Sequence, residues 1–386
     1  MRGDLQAGKI AIYFPSLRGG GAERAMLNLA GGIKNEGFNI DIVLVSAEGI
    51  YKDIVPKGVS VIDLKASGVM ASLPKLCHYL KENRPVSMLS TPVHANIAAI
   101  LAQKITRVPT RIIIREAITP SQSAFYSKKN ISKVIFFLMR RLYRHADGIV
   151  AVSSGVADDL VSFIGLQPEK INIIYNPIVT REMLSQAEEP IEHRWLKNKR
   201  GPVIITAGRM NKQKDHTTLI KAFCLIQKTC DAKLIILGEG PERKNLVNLI
   251  ENLGLNDVVD LPGFVENPFS YFKNSSVFVL SSLFEGLPNV LIQAMMLGVP
   301  VVSTDCPSGP REILKDGRFG ILVPIQNEKA MADAILLALQ DKVTNRLESR
   351  NEFNLEYSTN AYLKVLLGSQ KCQRHSLTEQ ILRIPD

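Results

Sequence analysis

Thirteen short apolar runs, set apart by helical stretches, restrict the folds open to this chain more than any other feature. In the first half they are Ile10–Phe14, Ile40–Val45, Val59–Leu64, Val86–Leu89, Arg111–Arg115, Gly148–Val152 and Ile171–Tyr175. In the second half they are Val203–Ala207, Lys233–Leu237, Val258–Leu261, Val277–Leu280, Pro300–Thr304 and Ile321–Val323. They lack the polar alternation of a strand with one wet face. Both faces are therefore covered, which is the condition of parallel strands joined by helices. Two such series predict an α/β protein of two Rossmann-like, doubly wound parallel-sheet domains. A length of 386 residues, long for one core, agrees.

The polar stretch Asn176–Pro202 holds Pro177, Pro190, Glu188, Glu189 and the basic Lys197–Arg200, and predicts a linker over 179–201. The domains are then 1–178 and 202–354, with a polar tail at 369–386.

Composition removes several functional classes. No apolar run reaches the roughly 18 residues of a membrane-spanning helix, and the N-terminus lacks the apolar region of a secretory signal. The expectation is a cytoplasmic protein or one attached peripherally to the inner face of the cytoplasmic membrane. Cys77, Cys224, Cys230, Cys306 and Cys372 form no CxxC pair and leave an odd count, so neither a disulfide framework nor a zinc site is expected. No Asp-x-Asp pair follows a strand, and no His/Cys cluster has metal spacing; no metal is expected. Residues 1–180 carry 22 Lys+Arg against 13 Asp+Glu, whereas residues 181–386 carry 25 against 24. A basic first half fits an anionic partner. No nucleic-acid module or aromatic-plus-basic platform accompanies it, so nucleic acid is not expected.

Within Lys128–Asp147, Ile131, Val134, Ile135, Leu138, Leu142 and Tyr143 recur at helical spacing, and Lys128, Lys129, Lys133, Arg140, Arg141 and Arg144 supply charge. Such a helix either lies in an anionic bilayer interface or packs on the sheet with only its basic side exposed; the charge of the first half favours membrane contact.

Three motifs carry chemistry. In Ser281–Val302, Glu285 opens a Gly286-Leu287-Pro288-Asn289 turn into an amphipathic helix. That places a carboxylate and free backbone N–H groups at a helix N-terminus, suited to an anion or to sugar hydroxyls. Gln293, about two turns after Glu285, can face the same ligand. Taken alone, the segment also reads as a capped core helix. In Ile204–Phe223 a strand ends at Gly208, Arg209 projects from its carboxyl end, and Lys214 follows. Two cations there can hold a diphosphate, Arg as a fork and Lys as a point charge. In Phe14–Ala30, Gly19, Gly20 and Gly21 let the backbone approach a ligand closely, and Glu23 suits the first turn of the helix. The spacing does not fit a GxGxxG dinucleotide fingerprint.

Glu285, seven residues and Gln293 resemble the Glu-x7-Glu signature of the retaining family-four glycosyltransferases of the GT-B fold, with Gln in the second place. Gly208-Arg209 with Lys214 resembles their diphosphate-binding pair, and Gly19–Arg24 their Gly-rich loop facing the diphosphate and acceptor. Leu237-Gly238-Glu239-Gly240-Pro241-Glu242 resembles their nucleotide loop. Leu261–Val265 resembles the loop that meets the base, here at Phe264 and Val265. Arg115-Glu116 falls where relatives carry an Arg-Glu or Ser-Glu pair, usually followed by His; this chain has Ala117, and His94 is a candidate replacement. The resemblance implies two domains facing across a cleft and a C-terminal helix, about 355–368, packed back on the first domain. It implies a nucleotide-sugar co-substrate, a UDP-sugar, with no other cofactor, and a membrane-linked glycan acceptor in bacterial surface-polysaccharide or lipid-linked oligosaccharide assembly. Glu285, Arg209 and Lys214 are then the catalytic set, and Glu116 joins the Gly19–Glu23 loop on the acceptor side. Two alternatives stay open: a UDP-sugar 2-epimerase of the same fold, and a catalytically weak nucleotide-sugar-binding scaffold subunit.

Overall fold

The computed structural model describes residues 8–126, 131–198, 201–340 and 351–368. The chain divides into two compact units. The first holds the described residues up to Val152, Val156–Pro177 and those from Leu355 on; the second holds Ser153–Gly155 and Ile178–Asn354.

The first unit is a seven-stranded sheet of β1 (Ile10–Phe14), β2 (Ile40–Leu44), β3 (Ser60–Asp63), β4 (Ser87–Ser90), β5 (Arg111–Glu116), β6 (Gly148–Ala151) and β7 (Ile171–Ile173). Its order is β3-β2-β1-β4-β5-β6-β7, and every pairing is parallel. All five residues of β1 and of β2 are buried, whereas the edge strand β3 is largely exposed. Helices cover both faces, so continuous apolar runs were needed at the centre and not at the rim. Each fully buried Ile or Leu there contributes about 1.5–3 kcal/mol.

The helix Leu355–Leu367 belongs to this first unit and packs along the helix Gly21–Asn35. A Cβ at Gly32 would stand 2.1 Å from Thr359 Oγ1, so a larger residue there would have to push the Thr359 side chain aside. Tyr362 on the same helix receives a hydrogen bond of 3.1 Å from Nε of Arg115. The Arg115 guanidinium, fully buried, also donates to Thr91 Oγ1 at 3.2 Å and to Asn176 Oδ1 at 2.6 Å. A buried charge held in this way fixes the end of β5 against the returning helix.

The second unit is a six-stranded parallel sheet of β8 (Val203–Ala207), β9 (Lys233–Leu237), β10 (Val259–Gly263), β11 (Val277–Leu280), β12 (Val301–Thr304) and β13 (Ile321–Val323). Its order is β10-β9-β8-β11-β12-β13. The core joins Ile204, Leu234, Ile236, Val277, Val279 and Val302 of the strands to Leu219, Phe223, Met331 and Ile335 of the helices.

Within the expected linker 179–201, residues 179–198 differ from that expectation. They form helices Arg181–Ala187 and Arg194–Asn198 within the second unit, with Met183, Ala187 and Leu196 buried. His193 Nε2 lies 2.9 Å from Asp260 Oδ2 of β10. The few apolar residues that anchor this stretch are dispersed among polar ones, which hid the packing. The tail 369–386, Lys128 and Lys129 lie outside the described residues. Among the described residues, no helix is long and apolar enough to cross a membrane.

Candidate active site

In the second unit the sheet grows outward in two directions from the β8–β11 pair, making that boundary the topological switch point. Ligands of open α/β sheets bind at such a point, outside the carboxyl ends of the strands. The loops that leave β8 and β11 there are bound tightly to each other. Leu283 N donates to Gln213 O at 2.8 Å, Gln213 Nε2 to Phe284 O at 2.9 Å, and Ser281 Oγ to Lys214 O at 2.7 Å.

The side chains meet across the same seam. Lys214 Nζ donates to Glu285 Oε1 at 2.6 Å, and Ser282 Oγ donates to the same oxygen at 2.6 Å. The lysine side chain is 17% exposed and the carboxylate 8%. An ion pair this far from water is held by charge-assisted bonds rather than by surface attraction. Below it, His216 begins the helix His216–Ile226, and burial, then Lys214, pushes its imidazole down to about 3. That ring is neutral near pH 7, leaving Lys214 as the cation of the cluster. The buried Cys306 thiol is pushed up by burial and, after that, by the Glu285 charge, so it stays protonated.

Local geometry explains why these residues are held where they are. Asp215, at φ +44°, caps that helix through Thr218, and Asn211 accepts from Lys214 N. Gly238, at φ +123°, lies against the β8 loop so closely that a Cβ would stand 2.2 Å from Gly208 O. After β11, Ser281–Pro288 are all buried, and Glu285 N donates to Pro307 O at 3.1 Å. Gly309, at φ +96°, leaves room for Pro288 and Gly286 O. The helix Asn289–Met296 starts there, and Gln293 is buried one turn after Asn289.

The remaining residues expected on the donor side follow the same edge of the sheet. Gly208 N donates to Leu237 O at 3.0 Å, and Gly238 N to Gly263 O at 2.7 Å, so the loops after β8, β9 and β10 adjoin. Glu239 is exposed and paired with Arg243 at 3.1 Å. Phe264 is exposed and Val265 half-buried beyond β10. Arg209 is exposed at the carboxyl end of β8, and its guanidinium has no partner among the described residues. It stands outside the Lys214–Glu285 pair. Among the described residues, no group of three or more His, Cys, Asp or Glu is arranged to hold a metal ion.

In the first unit the switch point lies between β1 and β4. Gly19, at φ +96°, Gly20 and Gly21 follow β1 and start the helix Gly21–Asn35. A Cβ at Gly20 would be 2.4 Å from Glu23 Oε2, so the carboxylate of the first turn lies over that peptide. The Tyr51 hydroxyl bonds to Gly20 and Arg24, and burial raises its pKa. His94, in the first turn of Val93–Thr106, is exposed beside β4; Ala117 is half-buried after β5.

Glu116, expected to join the Gly19–Glu23 loop on the acceptor side, is the buried last residue of β5. Its Oε1 accepts from Asn96 Nδ2 at 2.8 Å and from the Tyr143 hydroxyl; Ser90 Oγ donates to Asn96 Oδ1 at 2.8 Å. Burial pushes its carboxyl up to about 7, against the opposing pull of Tyr143, Asn96 and Arg115. Sequence reasoning missed Ser282, Gln213, His216, Asn96 and Tyr143. Only Ser282, three residues before Glu285, carried a local signal.

Comparison with known proteins gives the family and the fold. Residues 19–182 match the model of "Glycosyltransferase Family 4", and residues 187–357 that of "Glycosyl transferases group 1". The chain is 34% identical over 346 residues to the N-acetylgalactosamine-N,N'-diacetylbacillosaminyl-diphospho-undecaprenol 4-alpha-N-acetylgalactosaminyltransferase of Campylobacter jejuni, covering 86% of this chain and 90% of that one. It is 31% identical over 235 residues to a lipopolysaccharide core biosynthesis glycosyltransferase of Rhizobium meliloti, covering 58% and 65%. Among solved structures, Anabaena HepE in complex with UDP and glucose superposes with a TM-score of 0.75 at 20% identity, covering 93% of this chain and 99% of that one. A mutant of S. aureus TarM superposes with a TM-score of 0.75 at 14% identity, covering 94% and 100%.

Two doubly wound parallel-sheet units, matched in turn by these two family models, define a glycosyltransferase of the GT-B fold. The chain belongs to glycosyltransferase family 4.

Proposed function

We propose that this enzyme moves a sugar from a UDP-sugar to a lipid-linked glycan, with retention at the anomeric carbon and without a metal ion, in bacterial surface-polysaccharide or lipid-linked oligosaccharide assembly. It works at the inner face of the cytoplasmic membrane, its basic first half toward anionic lipid. The observation that carries the reading is the buried contact between Lys214 and Glu285 at the switch point of the second unit. Support for the donor comes from HepE, solved with UDP-glucose. Support for the acceptor comes from the Campylobacter relatives, whose names specify diphospho-undecaprenol or PP-undecaprenol glycans.

The chemistry asked of these residues is electrostatic. As the bond between the anomeric carbon and the diphosphate oxygen breaks, negative charge gathers on the leaving diphosphate. Lys214 and Arg209 offset that charge, a contribution of about 3–4 kcal/mol for one well-placed donor. Glu285, held by Ser282 and Lys214, orients the sugar hydroxyls as an acceptor. The leaving phosphate oxygen takes the proton of the attacking acceptor hydroxyl, so no separate base is required. Gln293 accepts from the ribose through its carbonyl oxygen.

Incubation with a panel of UDP- and GDP-sugars and a lipid-acceptor extract, with NMR of the product linkage, tests this. Acceptor-dependent release of UDP, an α-linked product from an α-linked donor, and insensitivity to EDTA are expected. An inverted linkage, release of a 2-epimer without acceptor, or no turnover with any donor overturns it.

A further inference from the structure

The helix Ile131–Leu142, with the turn Tyr143–His145, presents a surface to which the proposed transfer assigns no residue. Its inner side packs on the helix Val93–Thr106, with Met139 buried and Ile135 half-buried. On the opposite side Val134 is 60% exposed and Phe137 59%. Helical spacing puts Arg141 on that same arc, and its guanidinium lies 5.8 Å from the Phe137 ring centroid. Lys133 flanks the arc and is exposed. Arg140 is held to one side, donating to Phe163 O at 3.2 and 2.8 Å.

The charge on this helix is of one sign. The helix sequence contains no Asp or Glu. Lys104, Arg144 and Lys170 crowd His145 and, after burial, help hold its pKa below the usual value. Among the described residues, none of Lys104, Lys133, Arg140, Arg141, Arg144 and Lys170 forms an ion pair.

Two unfavourable features thus coincide: apolar side chains in water and unneutralised cations near one another. Nucleic acid would neutralise the cations and leave Val134 and Phe137 wet. An anionic bilayer satisfies both, with phosphates over the cations and the apolar pair in the headgroup–acyl boundary. We propose that Lys133, Val134, Phe137 and Arg141, together with the adjoining Lys104, Arg144 and Lys170, form the surface by which this enzyme docks on a bilayer rich in anionic phospholipid. This surface rests on the membrane-acceptor reading above and is tested separately from it.

Flotation of the full chain with phosphatidylcholine vesicles, with and without phosphatidylglycerol, gives the test. Wild type should float with phosphatidylglycerol, less at high salt, and hardly with phosphatidylcholine alone. The V134S/F137S and R141E variants should each lower the bound fraction about tenfold. These side chains are exposed, and unchanged thermal melting would confirm that the fold is kept. Transfer to a detergent-dispersed acceptor, run in parallel, should match wild type in both variants. Wild type that fails to float, or variants that float like it, overturns the docking surface. Binding that short duplex DNA competes away and that V134S/F137S leaves intact overturns it in favour of nucleic acid. Absent transfer in wild type would strike the transfer reading and leave the flotation result standing.

Discussion

Lys214 and Glu285 stand 71 residues apart in the chain, yet Nζ and Oε1 are 2.6 Å from each other in a largely buried setting. Removing either one leaves the other's charge buried without its counter-ion. Lys214→Met should lower kcat by about 10²–10³ through loss of diphosphate stabilisation. It should also cost about 3–5 kcal/mol of stability, because it strands a buried carboxylate. The double variant Lys214→Met/Glu285→Gln should regain most of that stability and none of the turnover. Chemical denaturation beside steady-state kinetics separates the two effects. A double variant no more stable than Lys214→Met would show that the pair is not coupled.

Gln293 is buried on the helix that starts after the Glu285 turn, in the place of the second glutamate of the Glu-x7-Glu signature this segment resembles. An amide oxygen accepts a hydrogen bond without the strength that charge adds. Gln293→Glu should therefore tighten UDP by about 1 kcal/mol, roughly fivefold in Kd. The new carboxylate would be buried, so the ligand-free protein should melt lower than wild type while the UDP-bound protein regains the difference. Titration calorimetry and melting with and without UDP read both effects. Equal or weaker UDP binding would remove Gln293 from the ribose contact.

How far the sequence foretold this structure depended on how local each signal was. The runs that became β1 to β13 were legible because strands covered on both faces need continuous apolar residues. The carboxyl-end placement of Arg209 and Glu285 followed from the same runs. Side-chain partnership across the chain left no such trace. Nothing local ties Asn96 or Tyr143 to Glu116, so the buried network at the end of β5 could not be foreseen. Residues 179–201 misled for the opposite reason. Met183, Ala187 and Leu196 are enough to anchor two helices but too sparse to outweigh the polar residues around them.

That network gives a pH dependence with a defined sign. Burial raises the Glu116 carboxyl from 4.5 to about 7. Between those values the folded protein keeps a proton that the unfolded chain has released, so the stability due to this group falls as pH rises through the window. It is complete below about pH 4.5 and lost above about pH 7, a span of roughly 3 kcal/mol. Glu116→Gln keeps an oxygen to accept from Asn96 and Tyr143 but carries no proton to release. Urea midpoints at about pH 5 and pH 8 should converge in this variant while wild type weakens at the higher pH. The same fall in both proteins would exclude Glu116 as its source.

The loops after β8 and β9 touch at backbone level, and this contact separates steric from conformational need for glycine. Gly238 has φ +123°, and a Cβ there would lie 2.2 Å from Gly208 O, a backbone atom that cannot turn away. Gly254 has φ +67°, with nothing within 4 Å of a Cβ. Alanine at Gly254 should cost only the left-handed backbone penalty, about 1–2 kcal/mol, and leave UDP affinity unchanged. Alanine at Gly238 adds a collision to that penalty and must push Gly208 and its neighbour Arg209 off the end of β8. UDP affinity should drop at least about tenfold, since a displacement of even 1 Å can cost far more at a reacting centre. Calorimetry on the two variants makes the comparison. If Gly238→Ala bound UDP as Gly254→Ala does, the β8 loop would not be part of the nucleotide site.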